Sequence, residues 1–259
     1  MHPIVTILQL GEQELPIASY GAMLCLAILI ASGGAVRAAH RARLDVGACI
    51  AACGVAIAGA FGGAVLLHAL VQGILLGSPG ALLLPPGLAF FGAALGAAGA
   101  LALFGRQLGL DVLVVADRAV PAFCIAHAIG RLGCFLGGCC HGAPWSGALA
   151  VTYTHPLAPA AALSQPVHPV PLYEAAALVL LASVFALVPV REPGSGRRVL
   201  QYAAAYSVLR LGLEPLRGDA VRGLFFGGAL STSQLIAAAV LLAAALLYPR
   251  PSRDAKQPA

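Results

Sequence analysis

The sequence predicts an all-α polytopic membrane protein with about seven transmembrane helices. Of its 259 residues, 60% are hydrophobic and only 10% are charged, whereas about 25% are charged in an average soluble domain. Ten-residue segments of alternating apolar and polar residues are absent, which argues against an outer-membrane barrel. The high hydrophobicity excludes an intrinsically disordered chain. The net charge of +5 comes without a basic stripe interleaved with aromatic residues, so no nucleic-acid partner is expected.

Seven apolar stretches are long enough to cross the hydrocarbon core of a bilayer, which needs about 20 residues of helix. They run roughly over residues 18–36, 48–73, 83–104, 112–136, 172–190, 199–216 and 231–248. Glu12 and Glu14 precede the first stretch, and no Lys or Arg does, so that stretch is not interpreted as a cleavable signal peptide. We expect a single integral-membrane domain over 1–248 and a polar tail over 249–259.

Basic residues predict how these helices are oriented. Ten of the fifteen Lys and Arg residues lie in the loops after the first, third and fifth stretches or in the tail: Arg37, Arg41, Arg43, Arg106, Arg191, Arg197, Arg198, Arg250, Arg253 and Lys256. The opposite side holds Arg217 and Arg222. Since loops rich in Lys and Arg stay in the cytoplasm, we expect a periplasmic N-terminus and a cytoplasmic C-terminus. The proline-rich segment 139–171 is then a structured outer loop.

Ionisable residues inside apolar helices are costly and are functional candidates by default. Four candidates share one face of the fourth stretch at helical spacing: Cys124, His127, Arg131 and Cys134. Five glycines between Gly130 and Gly142, including Gly133, would let this helix approach a neighbour or a lipid headgroup closely.

Two further elements carry polar side chains. The sixth stretch places Tyr206, Arg210 and Glu214 at intervals of four residues, which makes a polar stripe on an apolar helix. His168, Tyr173 and Glu174 lie around the start of the fifth stretch. Two arginines in different helices, with tyrosines and no matching surplus of acids, suit an anionic ligand. Because the guanidinium fork matches phosphate, a phospholipid headgroup is the predicted ligand.

Structural roles compete with this interpretation. Arg131 could pair with Glu174 or Glu214 simply to hold helices together. Glu214 is best explained as an orienting ion-pair partner of Arg210 or Arg217.

The histidine and cysteines also have structural alternatives. His127 alone is more often a packing or hydrogen-bonding residue, and a free cysteine is usually a small core hydrophobe. Cys134, Cys139, Cys140 and His141 could also form a metal site, but their spacing is unusual. Adjacent cysteines and a C-x4-C gap do not match the usual C-x2-C pattern of zinc sites, so no metal is predicted.

Several short motifs, taken together, are familiar. Gly130-Arg131-Leu132-Gly133 followed by Phe135 resembles the G-R-x-G-N-F signature of the prolipoprotein diacylglyceryl transferases. Other segments resemble elements of that family in the same order: Met1-His2-Pro3, Ser19-Tyr20-Gly21, Gly87 to Gly92, Asp117 with Pro121, His168-Pro169 with Leu172-Tyr173-Glu174, Tyr206 to Arg217 and Ser233-Gln234.

The resemblance implies a multi-pass enzyme of the bacterial inner membrane. Such an enzyme moves the diacylglyceryl group of phosphatidylglycerol onto the lipobox cysteine of a prolipoprotein signal peptide, and it meets membrane lipids but needs no cofactor. The implied catalytic residues are Tyr20, Arg131 and Arg210, and His127 and His141 are candidate bases. The implied lipid-binding and phosphate-binding residues are Arg131, Arg210, Tyr206, Gly130, Gly133 and Glu214. The implied substrate-loop and structural residues are His168, Tyr173, Glu174, Cys134, Cys139 and Cys140.

The chain departs from the family pattern at positions that carry acid–base or polar chemistry. Phe91 stands where the family has a histidine proposed to act in catalysis, and Phe61 where an arginine is usual. Cys134 replaces the signature asparagine, Cys139 an acidic residue and Pro171 a glutamine.

Two functions remain open at this point. The chain could be a divergent transferase in which His127 or His141 takes over the role of the missing histidine. Alternatively, it could be a non-transferase with the family fold that binds an anionic phospholipid and uses its three neighbouring cysteines for redox or metal chemistry.

Overall fold

The computed structural model describes residues 3–10, 13–70, 86–218, 224–225 and 230–248. Across these ranges the seven helices are α1 Ser19–Arg41, α2 Val46–Leu70, α3 Pro86–Phe104, α4 Val112–Gly137, α5 Val170–Leu187, α6 Arg197–Leu213 and α7 Thr232–Leu247. The short strands are β1 Ile4–Leu10, β2 Gln13–Ala18, β3 Leu224–Phe225 and β4 Leu230–Ser231. Each predicted apolar stretch thus contains a helix. The predicted tail 249–259 and Arg222 lie outside the described residues.

Four of these helices are long and apolar enough to cross a membrane: α1, α2, α4 and α5. The apolar parts of α3 and α7 are shorter, at Gly92–Phe104 and Ser233–Leu247. Helix α6 begins with Arg197 and Arg198 and carries the predicted polar stripe. An all-helical fold with several apolar helices is that of a multi-pass membrane protein.

A β-hairpin precedes the first helix, and sequence reasoning missed it. Strands β1 and β2 pair antiparallel, with Leu10 opposite Gln13. The Ser19 N–H donates to the Pro3 carbonyl over 2.8 Å, which ties the hairpin to the start of α1. Two residues that begin with Gly11 separate the strands, and this is the usual sequence signal for a tight hairpin.

Glycines bring α2 and α3 into backbone contact. A Cβ atom added to Gly63 would lie 2.2 Å from the Gly92 carbonyl oxygen, and one added to Gly96 would lie 2.1 Å from that of Gly59. Each helix therefore presents two glycines four residues apart to its partner, the small-residue pattern that permits close helix packing in membranes.

Helix α4 packs against α1, α5 and α6. Its Cys124 is fully buried in an apolar cluster with Val120, Ala182 and Phe185. This cysteine is therefore a core residue, as its structural alternative predicts.

A buried carboxylate on α4 caps the beginning of α6. Asp117 Oδ2 accepts hydrogen bonds from the N–H groups of Gly194 and Gly196, over 3.0 and 2.9 Å. Asp117 Oδ1 accepts from those of Arg198 and Val199, over 3.1 and 3.3 Å. Four N–H groups at the α6 N-terminus thus depend on one side chain from another helix.

Replacing Asp117 by Ala should destabilise the protein by about 2–4 kcal/mol, because four N–H groups at the beginning of α6 lose a charged acceptor together. Asp111→Ala is the matched control. Asp111 caps its own helix through a single exposed bond of 3.1 Å to Val114 N, so its loss should cost about 1 kcal/mol or less. Thermal unfolding in detergent measures both variants, and equal shifts in Tm would contradict the inter-helix cap.

Candidate functional site

The predicted site residues gather where the ends of five helices meet. Side-chain contacts join the N-terminal turns of α1, α5 and α7 to the C-terminal turns of α4 and α6. Consecutive helices of a bundle run in opposite directions. The N-terminal ends of α1, α5 and α7 and the C-terminal ends of α4 and α6 therefore lie on one face of the molecule. The residues that the sequence placed in separate motifs are therefore neighbours in the fold.

Arg131 is held by two side chains from two other helices. Its Nε lies 3.1 Å from Glu174 Oε1, and its Nη2 donates to the Tyr206 hydroxyl over 2.8 Å. The Tyr206 hydroxyl in turn donates to Glu174 Oε1 over 2.6 Å. Glu174 is fully buried. This triad ties α4, α5 and α6 together, and its contacts use Nε and Nη2 of Arg131, which leaves Nη1 for another acceptor.

Arg210 has a similar arrangement with an unused donor. Its Nη2 lies 3.5 Å from Glu214 Oε2 and donates to the Ser233 hydroxyl over 3.0 Å. Its Nη1 is buried and hydrogen-bonds to none of the described residues. A buried donor without an acceptor costs free energy, so Nη1 is disposed to receive an anionic oxygen.

The ion pairs favour the structural alternatives in part. Arg131 pairs with Glu174 rather than Glu214, and the expected pair of Glu214 with Arg210 is present. The sequence-based interpretation that acids do not match the two arginines is therefore wrong. Arg217 is a third arginine near the site, and it is buried.

The predicted glycines differ in what they do. A Cβ at Gly133 would lie 3.0 Å from Met23 Cβ and 3.4 Å from Tyr20 Cδ2, so this glycine admits α1. Tyr20 itself is 45% exposed. A Cβ at Gly130 would meet nothing within 4 Å. The close approach to a neighbouring helix is therefore made at Gly133, one turn after Gly130.

Three cysteines converge at the end of α4. The sulfur atoms of Cys134, Cys139 and Cys140 all lie within 4.8 Å of one another. Gly138 ends the helix in the left-handed conformation, with φ of 71°, and Cys140 is also left-handed, with φ of 56°. These two turns fold the chain back over the helix end. We name Cys134, Cys139 and Cys140 the thiol cluster.

Its two loop cysteines differ in acidity. Hydrogen bonds from the Cys134 and Cys139 thiols lower the pKa of Cys140, and the charges of Arg131 and Arg217 lower it further. Hydrogen bonds with Cys134 and Cys140 raise the pKa of Cys139 instead. The surroundings therefore favour the charged form of Cys140 over that of Cys139.

The segment that follows the cluster is fixed by backbone hydrogen bonds. The Gly142 N–H donates to the His168 carbonyl over 2.9 Å, and the Ala143 N–H donates to the Leu216 carbonyl over 2.8 Å. A Cβ at Gly142 would lie 2.4 Å from His168 Cβ, so only glycine fits there. The beginning of the predicted outer loop is thus ordered between the chain before α5 and the chain after α6.

His141 is arranged to accept a proton. Its Nδ1 lies 3.0 Å from the Gly142 carbonyl oxygen. Because a carbonyl only accepts, Nδ1 carries the hydrogen, and Nε2 of the neutral ring is the basic nitrogen.

His127 lies among aromatic rings. Its Nδ1 is 2.7 Å from the Tyr202 hydroxyl, and its ring centroid is 4.6 Å from that of Tyr206. These contacts favour a packing and hydrogen-bonding role for His127 over the role of a general base.

His168 and Tyr173 form a smaller polar group at the start of α5. The His168 Nδ1 lies 3.4 Å from the Tyr173 hydroxyl, and its ring stacks on Trp145 with centroids 4.2 Å apart. Sequence reasoning missed Trp145. Its only signal was that a single Trp falls in the polar loop. Phe91, which stands where the resemblance implies a histidine, lies in α3.

The fold and the site define a multi-pass membrane protein whose interior arginines converge at one face. The family model described as prolipoprotein diacylglyceryl transferase matches residues 6–249. The chain therefore belongs to the prolipoprotein diacylglyceryl transferase family, as its motifs predict.

Curated relatives named phosphatidylglycerol–prolipoprotein diacylglyceryl transferase are similar over part of their length. The protein of Clostridium tetani is 35% identical over 58% of this chain and 58% of its own. That of Gloeobacter violaceus is 36% identical over 67% and 64%, and that of Caulobacter vibrioides is 31% identical over 67% and 63%. The matched part is thus about three fifths of the relatives' length.

Proposed function

We propose that this protein transfers the diacylglyceryl group of phosphatidylglycerol to the lipobox cysteine of prolipoproteins in the bacterial inner membrane. The observation that carries the proposal is the pair of interior arginines, Arg131 and Arg210, each held by a glutamate with one nitrogen left for an anionic oxygen. Family membership supplies the reaction class.

The arginines act on the leaving group. As sulfur attacks the glycerol carbon, the carbon–oxygen bond to phosphate breaks, and negative charge grows on the phosphate oxygens. Nη1 of Arg210 and the open side of Arg131 are placed to stabilise that charge. Donors fixed before the reaction are effective because they do not have to reorganise during it. Tyr206 and Glu214 orient the two arginines rather than touch the lipid.

The acceptor thiol must lose a proton to become a good nucleophile. His141 supports this step, since its Nε2 is the basic nitrogen and the residue follows the thiol cluster directly. His127 is the second candidate, one helical turn before Arg131, although it is engaged by Tyr202.

The thiol cluster supports the second candidate function, a phospholipid-binding protein with cysteine chemistry and no transfer activity. The deciding experiment is transfer itself, measured as diacylglyceryl-modified lipobox peptide by mass spectrometry. If a motif-complete relative works under conditions where this protein does not, the transferase proposal fails and the second function replaces it.

Arg131→Lys should reduce transfer by at least about 10²-fold although the charge is kept, because an ammonium cannot bond Glu174 and Tyr206 while presenting a second donor edge. Arg118→Lys is the matched control, an exposed arginine on the same helix, and should retain activity. Detection of modified peptide by mass spectrometry, with the Tm of each variant, gives the readout. Full activity with Lys at position 131 would leave Arg131 only the packing role.

Removing a base should slow transfer by about 10²–10⁴-fold. We expect that loss for His141→Ala and a smaller one for His127→Ala, while Phe91→His should raise the rate of a weakly active parent. The same peptide assay, run between pH 5 and 9, shows which of the two alanine variants loses more activity. Histidine catalysis is wrong if both alanine variants transfer at the parental rate.

We also propose that all seven helices span the membrane, with the N-terminus and the 139–171 loop in the periplasm and the C-terminus in the cytoplasm. In a background without reactive native thiols, an impermeant maleimide should label Ser146→Cys in intact cells but not Gln107→Cys. Both residues are exposed, so accessibility of the folded protein does not explain a difference. Labelling of position 107 with protection of position 146 would reverse the orientation.

A further inference from the structure

The thiol cluster has the composition of a soft-metal site. Its three sulfur atoms lie within 4.8 Å of one another, and all three cysteines are free thiols. Thiolates are the ligands that zinc and other thiophilic ions prefer. Sequence spacing argues against such a site because it assumes a regular turn between ligands. Here the left-handed residues Gly138 and Cys140 bring the sulfurs together instead.

The dimensions suit one zinc ion. With zinc–sulfur bonds of about 2.3 Å, the sulfurs of a tetrahedral site lie about 3.8 Å apart. The cluster therefore has to contract by about 1 Å at most. Cys139 and Cys140 lie in the loop beyond the end of α4, where side-chain rotation supplies such a movement. Cys134 is on the last turns of the helix and fixes the position of the site.

The surrounding charge also fits. Three thiolates and one Zn²⁺ carry a net charge of −1, and a buried negative charge needs compensation. Arg131 and Arg217 both exert a favourable charge effect on Cys140. Three protein ligands leave one tetrahedral position open, which is the arrangement of catalytic rather than structural zinc sites.

We propose that Cys134, Cys139 and Cys140 bind Zn²⁺ as three thiolates and that the lipobox cysteine of the prolipoprotein enters as the fourth ligand. This inference rests on the proposed transferase function and adds a zinc ion that activates the acceptor thiol. Binding to zinc removes the thiol proton outright and places a thiolate beside Arg131. Zinc thereby replaces the general base that Phe91 cannot provide.

The step balances without a further reactant. The thiol proton passes to water as the sulfur binds zinc. The zinc-bound sulfur attacks the glycerol carbon, a carbon–sulfur bond forms, and the carbon–oxygen bond to phosphate breaks. Its electron pair leaves with glycerol phosphate, and the thioether product, a weak ligand, dissociates from zinc. The reaction is a substitution at carbon, and zinc neither gains nor loses electrons.

The test begins with zinc alone. The full-length protein, purified in detergent and loaded with Zn²⁺, should retain one zinc per chain by mass spectrometry of the metal. Cys134→Ser, Cys139→Ser and Cys140→Ser should each weaken binding at least about 10²-fold against a competing chelator, because each removes one ligand. Cys53→Ser is the matched control. It removes a half-buried cysteine of α2, which is distant from the thiol cluster in the sequence, and the variant should bind zinc like the parent. The Tm of each variant separates loss of binding from loss of folding.

Cobalt reports on the fourth ligand. The Co²⁺-loaded protein should show the absorption of a tetrahedral thiolate site, and a lipobox peptide should raise its sulfur-to-cobalt charge-transfer band. The same peptide with Ser in place of Cys should not. In the parent protein, Zn²⁺ should also protect three thiols from alkylation, which needs no variant.

The outcomes distinguish the two proposals. Zinc binding and peptide ligation without diacylglyceryl transfer would overturn the transferase function and leave the metal site standing. Full transfer by chelator-treated protein and by the three Ser variants would overturn the zinc role and leave the transferase. A disulfide within the cluster that is formed in cells, with no zinc retained after its reduction, would also overturn the metal site.

Discussion

The ion pair between Arg131 and Glu174 is the constraint on which the site depends. Neither charge could be buried alone between α4 and α5, because an isolated charge in a low-dielectric interior costs several kcal/mol or more. Their separation of 3.1 Å, together with the Tyr206 hydroxyl that bonds both, sets the positions of three helices relative to one another. The end of α4, and with it the turn that carries the cysteines, is placed by this pair.

A structural role for this pair does not compete with a role in binding. A guanidinium that rotates freely would have to be ordered when a phosphate arrives, and that ordering would reduce its effect on the transition state. Glu174 and Tyr206 orient Arg131 beforehand, as Glu214 and Ser233 orient Arg210. The acids reduce the positive charge of the site, but they fix the direction in which its donors point.

The apolar stretches of the sequence predict the seven helices seen in the described residues, since length and hydrophobicity alone define such segments. The hairpin before α1 was missed because strands of 7 and 6 residues lie outside any apolar window of bilayer length. Motif spacing identifies Arg131, Arg210 and Glu174, whereas it leaves open which acid pairs with which arginine. That choice depends on how α4, α5 and α6 pack, and i to i+4 spacing within one helix contains no such information.

The thiol cluster shows why the departures from the family pattern belong together. Cys134 and Cys139 stand where the resemblance places an amide and an acid, so the chain gives up a negative charge next to Arg131. The surroundings of Cys140 favour its charged form, because hydrogen bonds from the two neighbouring thiols and the charges of Arg131 and Arg217 lower its pKa. The three cysteines also bring together sulfur ligands that a carboxylate does not offer.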